Sequence, residues 1–166
     1  LRFEKLTEVW SRLSGGFHKI GFNNSVYLSE KNTADRNYAL AHFMKETNES
    51  KPIGFPEGSD INETLELYFQ SCSIEANTEI LSVVASTLAN GGVNPFTGDV
   101  IFSPKTVQNA LSMMLTCGMY DYSGEFAFKI GVPAKSGVAG AIMIVIPNVM
   151  GIATWSPRLD DIGNSV

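Results

Sequence analysis

The chain has 166 residues, of which 44% are apolar and 17% are charged. This length and apolar content suffice for one domain with a sizeable core, and they exclude an intrinsically disordered chain. The 17 acidic and 12 basic residues give a formal net charge of −5. No basic cluster stands out that would release phosphate counterions, so no nucleic-acid partner is expected.

Neither the cysteines nor the histidines are spaced as metal ligands. Cys72 and Cys117 lie in apolar or helical surroundings, without the paired spacing of a zinc site or a redox CxxC motif. We interpret them as reduced and largely buried thiols. His18 and His42 lie far from any cluster of Cys, Asp or Glu, and no metal is predicted.

Helical patterns begin at the N-terminal end of the chain. Apolar residues at helical spacing predict a first helix that stops at Ser14-Gly15-Gly16. A turn around Asn23 precedes a short helical segment, and Thr33 is the expected N-cap of a helix over about 34–46. The Asn, Pro and Gly residues of 47–58 predict a loop.

Three further helices are predicted. Asp60 with Glu63 three residues later resembles a capping box. A helix from about Asn77 is expected to end at Asn90-Gly91-Gly92, and Ser103-Pro104 has the cap and first-position proline of another helix.

The last part of the chain has the pattern of strands. We expect three antiparallel strands, over about 134–140, 141–147 and 151–156. The apolar stretch 138–155 approaches the roughly 20 residues that cross a bilayer, but Pro147-Asn148 interrupts it. A hairpin and no membrane partner are therefore predicted. Helices first and strands last indicate an α+β fold with a segregated antiparallel sheet.

One tripeptide in the first strand has the composition of an active-site edge. Lys135-Ser136-Gly137 places a cation, a hydroxyl and a bare backbone at the start of an apolar strand. By itself the tripeptide is weak evidence, since an ordinary surface turn has the same composition. Its neighbours carry more information, and they are CGMYDYSGEFAF from 117, PAKSGVAG from 133, IPNVMG from 146, WSP from 155 and GNSV from 163.

Together these motifs resemble the serine-dependent glutaminases, an amidohydrolase branch of the β-lactamase-like serine acyl-enzymes. The resemblance implies a β-lactamase/transpeptidase-like fold and hydrolysis of L-glutamine through an acyl-enzyme. In that family the serine belongs to a Ser-x-x-Lys motif, yet no lysine of this chain has a serine three residues before it. The chain resembles the second half of the family's catalytic domain, so the motif is expected upstream and residues 1–166 alone are expected to be inactive. We expect a helical part over about 1–131, a sheet part over about 132–157 and the start of a truncated helix over 158–166.

The resemblance also implies roles for five residues. Tyr120 matches the tyrosine that relays the serine proton, and the backbone N–H of Val138 matches an oxyanion-hole donor. Both are implied to touch substrate as well. Glu30 matches the partner of the substrate ammonium, and Asn37 and Tyr68 match residues on the amino-acid head group. Taken alone, these are a loop tyrosine, an incidental valine, a surface acid, a surface amide and a core ring.

A cation is needed beside the relay tyrosine, because a phenol is a poor base near neutral pH. The lysine of the Ser-x-x-Lys motif or Lys135 would serve. The resemblance further implies no metal or organic cofactor, inorganic phosphate as an activator, a homodimer or homotetramer, and a mitochondrial location without a targeting segment in this sequence.

Two alternatives stay open at this level. In the first, the parent protein is a β-lactamase or transpeptidase relative that acts on another amide, since those enzymes also use a Lys-Thr/Ser-Gly strand. In the second, the chain is a non-catalytic, folded module for assembly.

Overall fold

The structure is a computed structural model, and the residues it describes are 2–16, 19–50, 55–56 and 58–166. For 48–50 it describes the backbone alone. The interpretation of His18 and that of the centre of the predicted 47–58 loop lie outside the described residues. The chain divides into two compact units, a first one of Leu1–Thr7 and Gly21–Glu75 and a second one of Glu8–Ile20 and Ala76–Val166.

Seven helices and five strands make up the described part of the chain. In order they are α1 (Arg2–Leu13), β1 (Gly21–Phe22), α2 (Asn24–Asn32), α3 (Asp35–Ser50), α4 (Ile61–Cys72), β2 (Ile74–Glu75), α5 (Thr78–Ala89), α6 (Pro104–Cys117), α7 (Ser123–Lys129), β3 (Ala134–Ser136), β4 (Ala141–Ile146) and β5 (Met150–Trp155). A 3-10 turn, Tyr120–Tyr122, lies between α6 and α7. The predicted α+β class, with a segregated antiparallel sheet, is confirmed. Among the described residues, no helix is both long and apolar enough to span a bilayer.

In the first unit, α4 packs against both α2 and α3. The core residues of this unit are Ala34, Ala41, Ile61, Leu65 and Phe69. The predicted cap at Asp60 is confirmed, since its carboxylate accepts from Glu63 N–H. In the predicted turn before α2, Asn23 is the cap, and its Oδ1 accepts from the N–H groups of Ser25 and Val26. β1 and β2 pair antiparallel and connect the start of α2 to the end of α4.

The third helix is longer than predicted. We expected it to end near Glu46, but it continues to Ser50. Thr47 Oγ1 donates to Phe43 O at 2.9 Å, which lets a polar side chain stay within the helix by bonding back to the preceding turn. The polar composition from Thr47 onward therefore does not end the helix.

In the second unit, α5 packs against β4 and β5. One core cluster is Ala85, Leu88, Ala89, Val107 and Val145, and a second is Leu13, Ile80 and Val84. The cap predicted at Ser103 is confirmed, and the helix expected from about Asn77 is capped by Asn77, since each side chain accepts a backbone N–H of the first helical turn. The core therefore lies between the sheet and the helices that those caps begin.

The predicted hairpin is confirmed, with β4 and β5 paired from Ala141–Trp155 to Ile146–Met150. The first predicted strand is shorter than expected, because β3 ends at Ser136 rather than near Gly140. Gly140 N–H donates to Gly137 O at 2.9 Å, and this turn replaces the remainder of the strand.

Residues 158–166 form a turn rather than the start of a helix. Leu159 and Ser165 form an isolated antiparallel bridge. The Asp160 carboxylate accepts the N–H groups of Ile162 at 3.0 Å and Asn164 at 2.8 Å, so an Asx-type turn uses the amides that a helix would have used.

Both cysteines are free thiols, but the prediction that they are largely buried is wrong. Cys72 is the last residue of α4, and Cys117 is the last residue of α6. The neighbouring apolar residues of each helix enter a core, while the helix end itself is exposed.

Candidate active site

Tyr120 lies in a tight loop directly after α6, with its φ at +52°. Positive φ is rare for a bulky residue, and such strain persists only where the surroundings hold it. Ser123 helps to hold this backbone conformation, since its Oγ accepts Met119 N–H at 2.9 Å and donates to Tyr120 O at 2.6 Å. The Tyr120 side chain is 38% exposed, so the phenol is accessible at the surface of the second unit.

The loop that carries Tyr120 lies directly against β3. Ser136 N–H donates to Gly118 O at 2.9 Å. A Cβ on Gly118 would lie 1.7 Å from Ala134 O, a distance that no side chain permits. Glycine at this position therefore lets the loop approach the strand closely enough to form the hydrogen bond.

β3 also brings a cation to the phenol. Lys135 Nζ lies 4.8 Å from the centroid of the Tyr120 ring, within the range of a cation–π contact. The ammonium also donates to Ser136 O. Partial burial lowers the pKa of Lys135, and nearby Cys117 opposes that shift. Of the two lysines that the sequence suggested as partners of Tyr120, Lys135 is thus adjacent to it.

Val138 lies in the turn between β3 and β4, and its side chain is 68% exposed. Gly137 N–H donates to Ala141 O and Gly140 N–H donates to Gly137 O, each at 2.9 Å. Within the described residues, the Val138 N–H makes no hydrogen bond. It is therefore an available donor in the turn that follows Ser136, which itself bonds to the loop of Tyr120.

Glu30, Asn37 and Tyr68 belong to the first unit. Glu30 is a half-buried residue near the end of α2, and Tyr68 is a half-exposed residue of α4. Both residues affect the Cys72 thiol. Partial burial of the thiol raises its pKa, interaction with Tyr68 opposes that shift, and the charge of Glu30 adds to it. Asn37 is half-buried on the first turn of α3.

An ion-pair cluster fixes α2 against α4 next to Glu30 and Tyr68. Lys31 Nζ lies 2.9 Å from Glu66 Oε2, and the Tyr27 hydroxyl donates to Glu66 Oε1. These two donors, with Tyr27 first, hold the pKa of Glu66 below its usual range. Because Lys31 follows Glu30 and Glu66 lies two residues before Tyr68, the cluster limits how far the two predicted binding residues separate.

The five predicted site residues are divided between the two units, with Glu30, Asn37 and Tyr68 in the first and Tyr120 and Val138 in the second. Their roles stay predictions. Within the described part of the chain, no group of three or more His, Cys, Asp or Glu side chains comes together as a metal site.

The sequence did not reveal three residues that contact this machinery. Ser123 braces the loop of Tyr120, Cys72 interacts with Tyr68 and Glu30 closely enough for both to affect its pKa, and Asn164 donates to Met119 O at 3.1 Å. The only sequence signal for Ser123 and Asn164 was their place inside the motifs CGMYDYSG and GNSV.

A family model described as "Glutaminase" matches residues 1–166 of this chain. The chain belongs to the glutaminase family. It is 53% identical over 165 residues to "Putative glutaminase 3" of Caenorhabditis elegans, a match that covers 99% of this chain and 27% of that protein. It is 48% identical over 164 residues to "Glutaminase liver isoform, mitochondrial" of Rattus norvegicus, with 99% and 26% covered. The predicted family is confirmed, and a glutaminase is favoured over a β-lactamase or transpeptidase.

A solved structure supports the fold. "Probable glutaminase from Bacillus subtilis complexed with 6-diazo-5-oxo-L-norleucine" superposes with a TM-score of 0.85 at 38% identity, over 98% of this chain and 53% of that one. The chain therefore spans about half of this bacterial glutaminase and about a quarter of the animal relatives. Glutaminases of mitochondria and of bacteria both match it.

Proposed function

We propose that the complete protein hydrolyses L-glutamine to L-glutamate and ammonia. The observation that carries this proposal is the match of the glutaminase family model to residues 1–166. Because the chain spans only part of its relatives, the activity belongs to the complete protein. Residues 1–166 contain no Ser-x-x-Lys, so a serine from other residues of that protein is the nucleophile in this proposal.

The serine attacks the side-chain carboxamide of glutamine and forms an ester, and ammonia leaves with the proton that the serine gave up. Water then attacks the ester, which releases glutamate and restores the serine. Tyr120 is the group that takes the serine proton and passes it to the leaving amine. Lys135 Nζ, 4.8 Å from the ring centroid, is the cation that stabilises negative charge as it develops on the phenol oxygen.

Val138 supplies its backbone N–H to the oxygen that becomes negative during attack. Support comes from the turn itself, where this N–H makes no hydrogen bond to the described residues while its neighbours Gly137 and Gly140 are both paired. A donor fixed in a turn needs no reorganisation when the charge forms, and losing one such donor costs about 10²–10³ in rate.

Glu30 pairs with the α-ammonium of the substrate, and Asn37 and Tyr68 hydrogen-bond to its amino-acid head group. Support comes from the half-buried Glu30 and from Tyr68, which both affect the pKa of the Cys72 thiol. The Bacillus subtilis glutaminase structure is of a complex with 6-diazo-5-oxo-L-norleucine, which, like glutamine, is an α-amino acid. A site that pairs such a head group rejects simple amides.

Glutamate release by the complete protein, with and without the change Glu30→Gln, tests this function. Loss of a charge-assisted contact of about 1.5–3 kcal/mol predicts a fall of about 10–150-fold in kcat/KM. Glu8→Gln makes the same chemical change at an exposed position of α1 and should leave the rate unchanged. A complete protein that does not turn over glutamine refutes the proposal, and an unchanged rate in Glu30→Gln contradicts the pairing of Glu30 with the substrate ammonium.

Residues 1–166 prepared alone are expected to release no glutamate, because the proposed nucleophile lies outside them. Turnover above background by this chain would show that the serine is among its own residues. It would also contradict the role assigned to a Ser-x-x-Lys motif.

The remaining proposals concern conditions of activity and rest on the family resemblance. We propose that no metal or organic cofactor takes part and that inorganic phosphate activates the enzyme. Dialysis against EDTA should leave the rate unchanged. Phosphate at constant ionic strength should raise the rate, and sulfate is its matched control. We also propose a mitochondrial location, which cell fractionation tests.

We propose homodimers or homotetramers that associate through α3. Leu40, Phe43 and Met44 are large apolar side chains exposed on that helix, and such exposed patches are typical of association surfaces. In sedimentation velocity, Phe43→Glu should yield a smaller species. Phe128→Glu, at an exposed phenylalanine of the other unit, should not. Equal behaviour of both variants contradicts association through α3.

A further inference from the structure

Asn164 is a buried amide that contacts the peptide group directly before Tyr120. Its side chain is only 3% exposed. Asn164 Nδ2 donates to Met119 O at 3.1 Å across 45 positions of sequence. The same carbonyl accepts Tyr122 N–H at 3.1 Å, which closes the turn over Tyr120. Asn164 therefore bonds to the group that closes this turn.

The 158–166 turn holds Asn164 at this position. The Asp160 carboxylate accepts Asn164 N–H at 2.8 Å, and Asp160 N–H donates to Asn164 O at 2.7 Å. The Leu159–Ser165 bridge closes the turn from outside. With both backbone groups of Asn164 bonded, its side chain has a fixed origin from which to reach Met119.

The same turn contacts the Tyr120 ring. A Cβ on Gly163, whose φ is +91°, would lie 3.8 Å from Tyr120 Cδ2 and Cε2. The backbone of Gly163 thus lies beside the ring, while Lys135 Nζ lies 4.8 Å from the ring centroid. The position of the ring is therefore limited by the turn as well as by β3.

Asn164 Oδ1 is buried and has no hydrogen-bond partner within the described part of the chain. A buried acceptor without a partner costs about 1–3 kcal/mol, so the amide is a poor choice if stability alone decides the residue. A carboxylate of the same shape has no N–H to donate. The donor to Met119 O is therefore what asparagine adds here.

We propose that Asn164 is a positioning residue for catalysis. It holds the Met119–Tyr120 peptide, and so it keeps the backbone of Tyr120 in its strained conformation and the phenol in place. This inference rests on the proposed function, because it assigns Tyr120 the proton transfer. A conformation with φ of +52° costs about 1–3 kcal/mol and relaxes when its support is removed. A misplacement of about 1 Å in a catalytic group costs on the order of 10²-fold in rate.

Hydrogen exchange in the complete protein tests the contact without any assay of activity. Asn164→Ala should raise the exchange rate of the amides over 119–123 by about tenfold or more, since local opening becomes easier. Asn94→Ala is the matched control, because Asn94 is also fully buried in the same unit and its Nδ2 donates to Arg12 O and Leu13 O. It should leave 119–123 unchanged. Equal exchange of 119–123 in Asn164→Ala and in the unchanged protein overturns the proposal.

Kinetics of a double-mutant cycle test the consequence. If Asn164 acts through Tyr120, Asn164→Ala should lower kcat/KM by about 10–100-fold in the unchanged protein but by less than about threefold in a Tyr120→Phe background. Asn94→Ala should have the same effect in both backgrounds. An equal loss for Asn164→Ala in both backgrounds overturns the positioning role. If Asn164→Ala does not fold, Asn164→Ser is used, whose shorter side chain does not reach Met119 O.

The two measurements separate this proposal from the proposed function. A complete protein that does not hydrolyse glutamine refutes the proposed function and with it the catalytic part of this inference. Hydrogen exchange still decides whether Asn164 holds the loop of Tyr120.

Discussion

Gly118→Ala should destabilise the protein by about 2–6 kcal/mol, because it forces the loop of Tyr120 away from β3. The new Cβ would lie 1.7 Å from Ala134 O and 2.3 Å from Met114 O. Both are backbone atoms that no rotamer change moves, so the loop must shift by more than about 1 Å to restore van der Waals contact. Two hydrogen bonds are lost or stretched in that shift, Ser136 N–H to Gly118 O at 2.9 Å and Gly118 N–H to Met114 O at 3.1 Å.

The magnitude follows from these contacts. Overpacking a close approach costs about 1–3 kcal/mol, and the two hydrogen bonds contribute about 0.5–1.5 kcal/mol each, so the total loss is about 2–6 kcal/mol. A loss of this size is a large share of a total stability of about 5–15 kcal/mol. Urea unfolding of the complete protein, followed by circular dichroism, measures it.

Gly137→Ala is the matched control, since Gly137 directly follows β3. Its Cβ would have Ala141 O as its nearest neighbour, at 3.9 Å, an ordinary contact. The free energy of unfolding should change by less than about 1 kcal/mol, and the change is expected to be stabilising where the backbone is unstrained. A loss below about 1 kcal/mol for Gly118→Ala, or equal losses for both variants, would refute the close approach as the reason for Gly118.

Three further predictions concern the turn after β3, the Arg12–Asp99 ion pair and the Cys72 thiol. Gly137→Ala should lower glutamine turnover by about tenfold or more at unchanged stability, if substrate meets the backbone of that turn; unchanged turnover contradicts the oxyanion role. Arg12 holds the pKa of Asp99 below its usual range, so this pair stabilises the fold fully above about pH 3.9 and its contribution is lost as pH falls through the lower folded-state value. Asp99→Asn should therefore flatten the acid-side fall in Tm, and an identical pH profile contradicts it. Because burial raises the pKa of Cys72, its alkylation at neutral pH, followed by mass spectrometry, should be slower than that of a free cysteine peptide; an equal rate contradicts this.

The sequence predicts most helix starts because their signals are local, although the N-cap predicted at Thr33 is wrong: Thr33 ends α2, and its Oγ1 donates to Ser29 O. Asn23, Asp60, Asn77 and Ser103 each accept an N–H of the helix that they begin, and such a cap needs only its own neighbours in sequence. The residue at which a helix ends and the exposure of a side chain depend instead on contacts with residues that are distant in sequence. For this reason the end of α3 and the exposure of the two cysteines were predicted incorrectly.

The candidate site divides in the same way. The motif resemblance identifies Tyr120 and Lys135, but not that Lys135 Nζ lies 4.8 Å from the Tyr120 ring centroid. That distance depends on the loop of Tyr120 bonding to β3, and the bond between Asn164 and Met119 spans 45 positions. No pattern within a few residues encodes either contact. The expected helix at 158–166 was wrong for this reason, since those residues form a turn in which Asp160 accepts the N–H groups of Ile162 and Asn164.

The pairing of β3 with β4 connects the fold to the proposed chemistry. Lys135 pairs with Met143, and its neighbours Ala134 and Ser136 are buried while Lys135 is exposed. Because strand side chains alternate between faces, a slip of one residue would turn Lys135 inward and Ser136 outward. The same slip would move the N–H that Ser136 donates to Gly118 O. The register of β3 against β4 therefore fixes the position of the Lys135 ammonium beside Tyr120. It also fixes the position of the loop that carries the phenol.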